Sequence, residues 1–286
     1  MEEMWLNLKN FLDDEHPCIV CKSSDLKPWA KLNYLIAKRC NDCGMISVNP
    51  HFTDEGLHLL YSNYFQKRED NELLKIQRSD VYEIDHKWVT QFINSGTVLD
   101  IGCSGGFFLS RFSSEKWERE GVEIAGDASN YARSNFNINV HEGLITDLDF
   151  SKKYDLVMLR GVIEHFRDPI SVFNKCSEII KPGGYLFLTA TPAGDSFAFN
   201  IYREKWSLFV PLEHIHFFTV KLLDQVLNKN NFSQISHHYQ YHETPYANHI
   251  KDYKKINKDI ILKEQGRFSE IEVSVPFPGS MLTGLW

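Results

Sequence analysis

Val98-Leu99-Asp100-Ile101-Gly102-Cys103-Ser104-Gly105-Gly106-Phe107-Phe108 decides the fold of this chain. The mainly apolar run Val98 to Ile101 has strand length and follows the turn signal Ser95-Gly96. Gly102, Gly105 and Gly106 permit positive φ angles and a close approach to the backbone. Apolar spacing from Phe107 to Phe112 predicts a helix near 106–115, so the turn would sit at a helix N-terminus and could cradle a ligand there. Further on, Gly121-Val122-Glu123-Ile124 reads as a second strand ending in a carboxylate, the group that a ribose diol asks for. Two details argue against a dinucleotide. The turn lacks Gly-x-Gly-x-x-Gly spacing, and Asp100 at the strand end would repel a pyrophosphate but attract a cation or hydroxyls.

Composition narrows the function classes. A chain of 286 residues with 43% hydrophobic content has ample core material, so disorder of the whole is excluded. Acids outnumber bases 38 to 31, which disfavours a general polyanion binder. No apolar run approaches the roughly 20 residues that span a bilayer. The acidic start Met1-Glu2-Glu3-Met4-Trp5 lacks the basic residues of an export signal, so a cytoplasmic location is expected.

In that setting, Cys18-x2-Cys21 and Cys40-x2-Cys43 read as a tetrahedral zinc site. Four protein ligands leave no open position for water, so the metal is expected to be structural. Cys103 and Cys176 are left over as small buried residues. The expected organisation is a zinc ribbon over 1–52, a helical linker or cap over 53–94 and a ligand-binding domain over 95–286. Helices are predicted near 57–64 and 71–93, with the charged Gln66–Asp70 as a solvated connection. From Thr97 the chain alternates strands (97–101, 118–123, 138–140, 154–160, 184–190) with helices (127–136, 169–180, 219–229). Late strands are predicted within 232–241 and 271–275, with a helix over 249–264 between them. The rhythm predicts an α/β, Rossmann-like, seven-stranded and mostly parallel sheet with helices on both faces.

Gly161-Val162-Ile163-Glu164-His165-Phe166-Arg167-Asp168-Pro169 follows the fourth strand, at the end where open α/β sheets bind ligands. Together with the glycine turn and Glu123, this run resembles the class I S-adenosylmethionine-dependent methyltransferases. Their first motif is Asp/Glu-x-Gly-x-Gly-x-Gly, and Ser104 stands here for its middle glycine. Cys40-Asn41-Asp42-Cys43-Gly44, Leu60-Tyr61-Ser62-Asn63-Tyr64 and Pro211-Leu212-Glu213-His214-Ile215-His216-Phe217 resemble a bacterial subgroup with a zinc-ribbon preface. That subgroup includes sugar methyltransferases of surface-polysaccharide pathways.

The resemblance implies S-adenosylmethionine as cofactor. Asp100 and Gly102 would border its methionine part, with Ser104 and Gly106 in the turn. Glu123 would take the ribose hydroxyls, Leu144 and Ile145 would flank the adenine, and Arg160 would face the cleft. Methyl transfer needs alignment and, for a hydroxyl, proton removal, which suits histidine near neutral pH. The candidates are His165, His214 and His216. Phe197, Phe199, Tyr202, Trp206 and Phe209 would either wall an acceptor pocket or fill the core. The C-methylating members carry a substantial further C-terminal domain that these residues do not hold. The expected acceptor is therefore a hydroxyl of a sugar or nucleotide-linked sugar. Two rivals stand beside this reading. One is an RNA methyltransferase gripping nucleic acid through Lys22, Lys27, Lys31, Lys38 and Arg39, against which the net charge weighs. The other is a non-catalytic zinc-ribbon scaffold.

Overall fold

Three short antiparallel strands open the fold: β1 (Leu26–Leu32), β2 (Leu35–Cys40) and β3 (Ile46–Val48). A computed structural model describes residues 5, 7–61, 72–275 and 279–286, without the side chains of 72–77. Helix α1 (Asp54–Tyr61) and helix α2 (Glu72–Val89) lead into the main sheet. The Gln66–Asp70 connection and Ser62–Tyr64 lie outside the described residues.

The main sheet is built from β4 (Gly96–Ile101), β5 (Trp117–Glu123), β6 (Asn139–Glu142), β7 (Tyr154–Arg160) and β8 (Ile180–Pro192). These five run parallel in the order β8-β7-β4-β5-β6. Between and after them come helices α3 (Gly126–Phe136), α4 (Pro169–Ile179), α5 (Phe197–Tyr202), α6 (Val220–Asn228) and α7 (His249–Glu264). Strand β9 (His216–Phe217) leaves this half of the chain to pair antiparallel with β3, adding a fourth strand to the small sheet. Strands β10 (Ser236–Tyr239) and β11 (Met281–Leu285) close the main sheet at seven strands, β11 antiparallel to β8 and β10 antiparallel to β11. The expected Rossmann-like α/β fold is thus observed.

Central strands covered on two faces should be apolar throughout rather than alternating. Leu99, Ile101, Val157, Leu159, Leu186 and Leu188 are all fully buried. Side-chain caps start the helices where the sequence supplies them. Asp168 Oδ1 accepts from the N–H groups of Ile170 and Ser171 ahead of Pro169 in the first turn of α4, and Thr219 Oγ1 accepts from Leu222 N–H.

Two expectations are corrected. No α-helix follows the glycine turn: residues 102–116 form turns and one 3₁₀ segment, Leu109–Arg111. The reason is that both sides of this stretch are buried. Phe107 packs on Tyr131 and Phe136, whereas Phe108 packs on Tyr82 and Phe112 on His86. Wedged between α2 and α3, the three phenylalanines pack in more than one direction, whereas an amphipathic helix would gather them on a single stripe. The last strand is Met281–Leu285 and not 271–275, which is extended without strand pairing. Gly284 belongs to that strand because the Trp286 ring lies where a Cβ would be, 2.5 Å away.

Candidate active site

The turn after β4 carries unusual backbone geometry. Gly102 has φ +71°, and a Cβ there would come within 2.7 Å of Val162. Ser104 adopts φ +49°, the left-handed region that favours glycine, and this explains why the resembled motif has glycine at its position. Its N–H donates to Glu123 Oε2 at 2.9 Å, while Glu123 Oε1 accepts from the N–H groups of Ile124 (2.8 Å) and Ala125 (2.9 Å). Burial nevertheless pushes the Glu123 carboxyl above its usual range, against those three donors. Cys103 leans over Gly121, where a Cβ would sit 2.4 Å from its sulfur.

Asp100, at the C-terminal end of β4, is 2% exposed, and its Oδ1 has no hydrogen-bond partner among the described residues. Burial raises its carboxyl to about 8, opposed by the charge of Arg160. A buried carboxylate oxygen without a donor is a site awaiting a cation or a hydrogen-bond donor. At the neighbouring strand ends, Leu144 is exposed after β6 and Ile145 is buried beneath it. Ile124, directly after Glu123, is also exposed; the sequence reading passed over it.

Arg160 ends β7, and its guanidinium is bound by a residue the motifs did not indicate. Its Nε donates to Asp85 Oδ2 of α2 at 2.7 Å, and it stacks 4.4 Å from the Tyr82 ring. Asp85 is fully buried and also accepts from Thr189 Oγ1 (2.7 Å) and from the Gln240 amide. A carboxylate inside an apolar-patterned helix was the available signal for this network.

Past β7, His165 Nδ1 lies 2.8 Å from the Tyr61 hydroxyl, and its ring meets that of His214 at 5.1 Å, edge to face. His214 Nδ1 donates to the Leu208 carbonyl at 2.8 Å, leaving the lone pair of that tautomer on Nε2. Glu164 is 1% exposed, its Oε2 has no partner among the described residues, and burial raises it to about 8. Polar atoms of Glu164, His165 and His214 lie within 4.8 Å of one another. His216 sits elsewhere. It is fully buried, with Nδ1 3.0 Å from Ser47 Oγ of β3 and Nε2 3.3 Å from the Arg167 carbonyl. Burial and the neighbouring His51 push it down to about 3, so it stays neutral and ties β9 to β3 and to the loop after β7 instead of joining His165 and His214. The expectation that His214 and His216 share one face fails because period two applies only to extended segments: β9 begins at His216, and His214 lies in the irregular stretch before it. Of the aromatic residues, Phe199, Tyr202, Trp206 and Phe209 are core, and Phe197 is half-exposed.

The four paired cysteines converge. Cys18 and Cys43 sulfurs are 3.5 Å apart, as are those of Cys21 and Cys40, and all four lie within 4.8 Å of one another. Backbone N–H groups of Cys43 and Asp42 outweigh burial and bring the Cys40 thiol down to about 7.

Comparison with known proteins agrees with this geometry. Residues 76–237 match the family model described as a methyltransferase domain. The ubiquinone biosynthesis O-methyltransferase of Hydrogenovibrio crunogenus is 30% identical over 108 residues, covering 35% of this chain and 44% of its own length. That of Erwinia tasmaniensis is 29% identical over 130 residues, covering 42% and 53%. The chain therefore spans about half the length of the curated relatives it matches. Among solved structures, an S-adenosylmethionine-dependent methyltransferase from Thermotoga maritima superposes with TM-score 0.54 at 16% identity, over 79% of this chain and 98% of that one. Magnesium protoporphyrin IX methyltransferase from Synechocystis PCC 6803, solved with S-adenosylhomocysteine, gives 0.54 at 12% identity over 82% and 99%. Those likenesses establish the shared fold. With the family model covering more than half of its length, the chain belongs to the methyltransferase-domain family.

Proposed function

We propose that the chain is an S-adenosylmethionine-dependent methyltransferase whose acceptor is a hydroxyl on a small molecule, and that its four cysteines hold a structural zinc. The observation that carries the reading is Asp100: a buried carboxyl with an unpartnered oxygen beside a left-handed backbone turn, one strand from Glu123. Such a group fits the cationic aminoacyl and sulfonium end of the cofactor, and Glu123 fits its ribose hydroxyls. Ile124 and Leu144 offer apolar surface for the adenine. When bound, the cofactor supplies a methyl group already activated by the sulfonium.

The residues of this chain then have two tasks. The first is alignment, for which Tyr61 fixes the His165 ring and Leu208 fixes that of His214. The second is proton removal from the acceptor hydroxyl, for which His214 Nε2 carries a lone pair and His165 is its ring neighbour. The names of the curated relatives also indicate oxygen as the acceptor atom. Within that class we favour a sugar or nucleotide-linked sugar hydroxyl on the motif resemblance, with an acceptor of ubiquinone biosynthesis, the pathway in the relatives' names, as the alternative. Sulfur separations of 3.5 Å suit a tetrahedron with metal–sulfur bonds of about 2.3 Å.

Calorimetry with S-adenosylhomocysteine tests the core of the proposal. Two hydrogen bonds to an ionised carboxylate at about 1.5 kcal/mol each put the Glu123→Ala penalty near a hundredfold. Absence of binding to the wild-type chain, or binding indifferent to that substitution, would refute it. His214→Ala should lower kcat and remove the acid limb of the pH–rate profile against a panel of sugar and phenol hydroxyls.

A further inference from the structure

Trp29 of β1 is flanked by two arginines from different parts of the chain. The Arg203 guanidinium carbon lies 3.3 Å from the indole centroid and that of Arg39 lies 4.9 Å from it. Neither guanidinium has a carboxylate within ion-pair distance or donates a hydrogen bond among the described residues, although acids outnumber bases in this chain. A third cation is aligned with them, because Lys27 is the cross-strand partner of Arg39. Like charges directly opposed across a strand pair are unfavourable in isolation.

The placement of Arg203 is also specific. It follows α5 with φ +52° and ψ −120°, a conformation rarely adopted by a residue with a side chain. That turn carries the guanidinium from the methyltransferase half onto the β1 indole. Stacking on an aromatic face holds the planar cation with its N–H edge outward, the presentation that suits bidentate contact with phosphate oxygens. Trp29 itself is joined to the candidate base by a succession of rings. Phe199 is 6.1 Å from Trp29, Phe217 is 4.9 Å from Phe199, and His214 is 6.5 Å from Phe217.

We infer that Arg39 and Arg203, stacked on Trp29, form a binding site for a phosphate or diphosphate group carried by the acceptor. The acceptor half of this inference rests on the proposed methyltransferase function; the anion site does not. The basic ribbon noted in the sequence then serves a small anionic substrate rather than a nucleic acid.

The test is calorimetry on the full chain at low salt with inorganic pyrophosphate and, separately, uridine diphosphate. One site is expected, weakened at least about tenfold by Arg39→Gln and by Arg203→Gln. Tighter binding of the nucleoside diphosphate assigns a nucleotide-borne phosphate, and equal binding assigns the bare anion. Thermal unfolding supplies a second readout that a merely structural stack would not satisfy. Arg39→Gln should leave or raise the melting temperature without anion and should abolish the stabilisation by pyrophosphate. No heat with either ligand, binding unchanged in both variants, or the same loss of melting temperature with and without pyrophosphate would each overturn the inference. So would an RNA oligomer that outcompetes uridine diphosphate by orders of magnitude. S-adenosylhomocysteine titrated into the same samples reports separately on the methyltransferase reading, and its affinity should not change in either variant.

Discussion

Replacing Asp85 by alanine should destabilise the protein severely, because one carboxylate holds three donors at the junction of α2 and the sheet. Asp85 is fully buried and accepts from Arg160 Nε, Thr189 Oγ1 and Gln240 Nε2. Removing one partner of a buried ion pair costs about 3–5 kcal/mol, since the other charge stays desolvated and unpaired. The Gln240 amide, left without its acceptor, adds about 1 kcal/mol or more. Thr189 adds little, for its hydroxyl keeps Thr283 at 2.8 Å. The sum, about 4–6 kcal/mol, is a large part of the roughly 5–15 kcal/mol that stabilises a natural domain. Urea unfolding followed by tryptophan fluorescence would measure it. The pair Asp85→Leu with Arg160→Met removes both charges together and should cost no more than about 2 kcal/mol. An Asp85→Ala loss under about 1 kcal/mol, or a double variant whose cost equals the sum of its singles, would refute the reasoning.

Metal removal and acid should act at two other places. A chelator strong enough to strip zinc from four thiolates should lower the melting temperature, and Cys18→Ser should show the lower value before chelation; equal melting with and without chelator would exclude a structural metal. Glu120 of β5 is an acid-sensitive group. Although burial raises it, hydrogen bonds from Lys152, Tyr154 and His141 hold its carboxyl at about 2. A carboxylate depressed in the folded state contributes stability that is present above the unfolded value and is lost as pH falls through the folded one. About 2 kcal/mol should therefore disappear between about pH 5 and pH 2, after discounting for partial exposure, and Glu120→Gln should flatten that slope.

The parallel half of the fold was legible because its signals are local. Val98 to Ile101, Tyr154 to Arg160 and Glu123 stand at strand positions whose side chains and turns are dictated within a few residues. The segment after the glycine turn was not legible, because spacing of Phe107, Phe108 and Phe112 suits a helix equally well until both flanking helices are in place. Asp85 was invisible for a related reason: its partners lie 75, 104 and 155 residues away. The same limit applies to the histidines. Sequence offered His165, His214 and His216 as equals, and only long-range packing separates a buried bridge to Ser47 from a pair facing Tyr61.

That separation bears on what the ribbon is for. An appended nucleic-acid arm would be expected to keep its own sheet and core, joined to the enzyme by a linker. Here β3 pairs with β9 of the methyltransferase half, and Leu35, Ala37 and Val48 share one hydrophobic cluster with Phe199, Trp206 and Phe217. Arg167, three residues past the Glu164 carboxyl, forms ion pairs with Asp13 and with Asp54 at the start of α1. Helix α1 in turn delivers Tyr61 to His165. The small sheet that carries the four cysteines is therefore part of the wall that orients the candidate base. Loss of a metal from those cysteines should disturb the His165–Tyr61 contact more than the Asp100–Glu123 end, whose carboxyls sit on the parallel strands β4 and β5. S-adenosylhomocysteine affinity that survives chelation while methyl transfer fails is the result this coupling requires; equal loss of both would mean that the ribbon supports the whole domain without distinction.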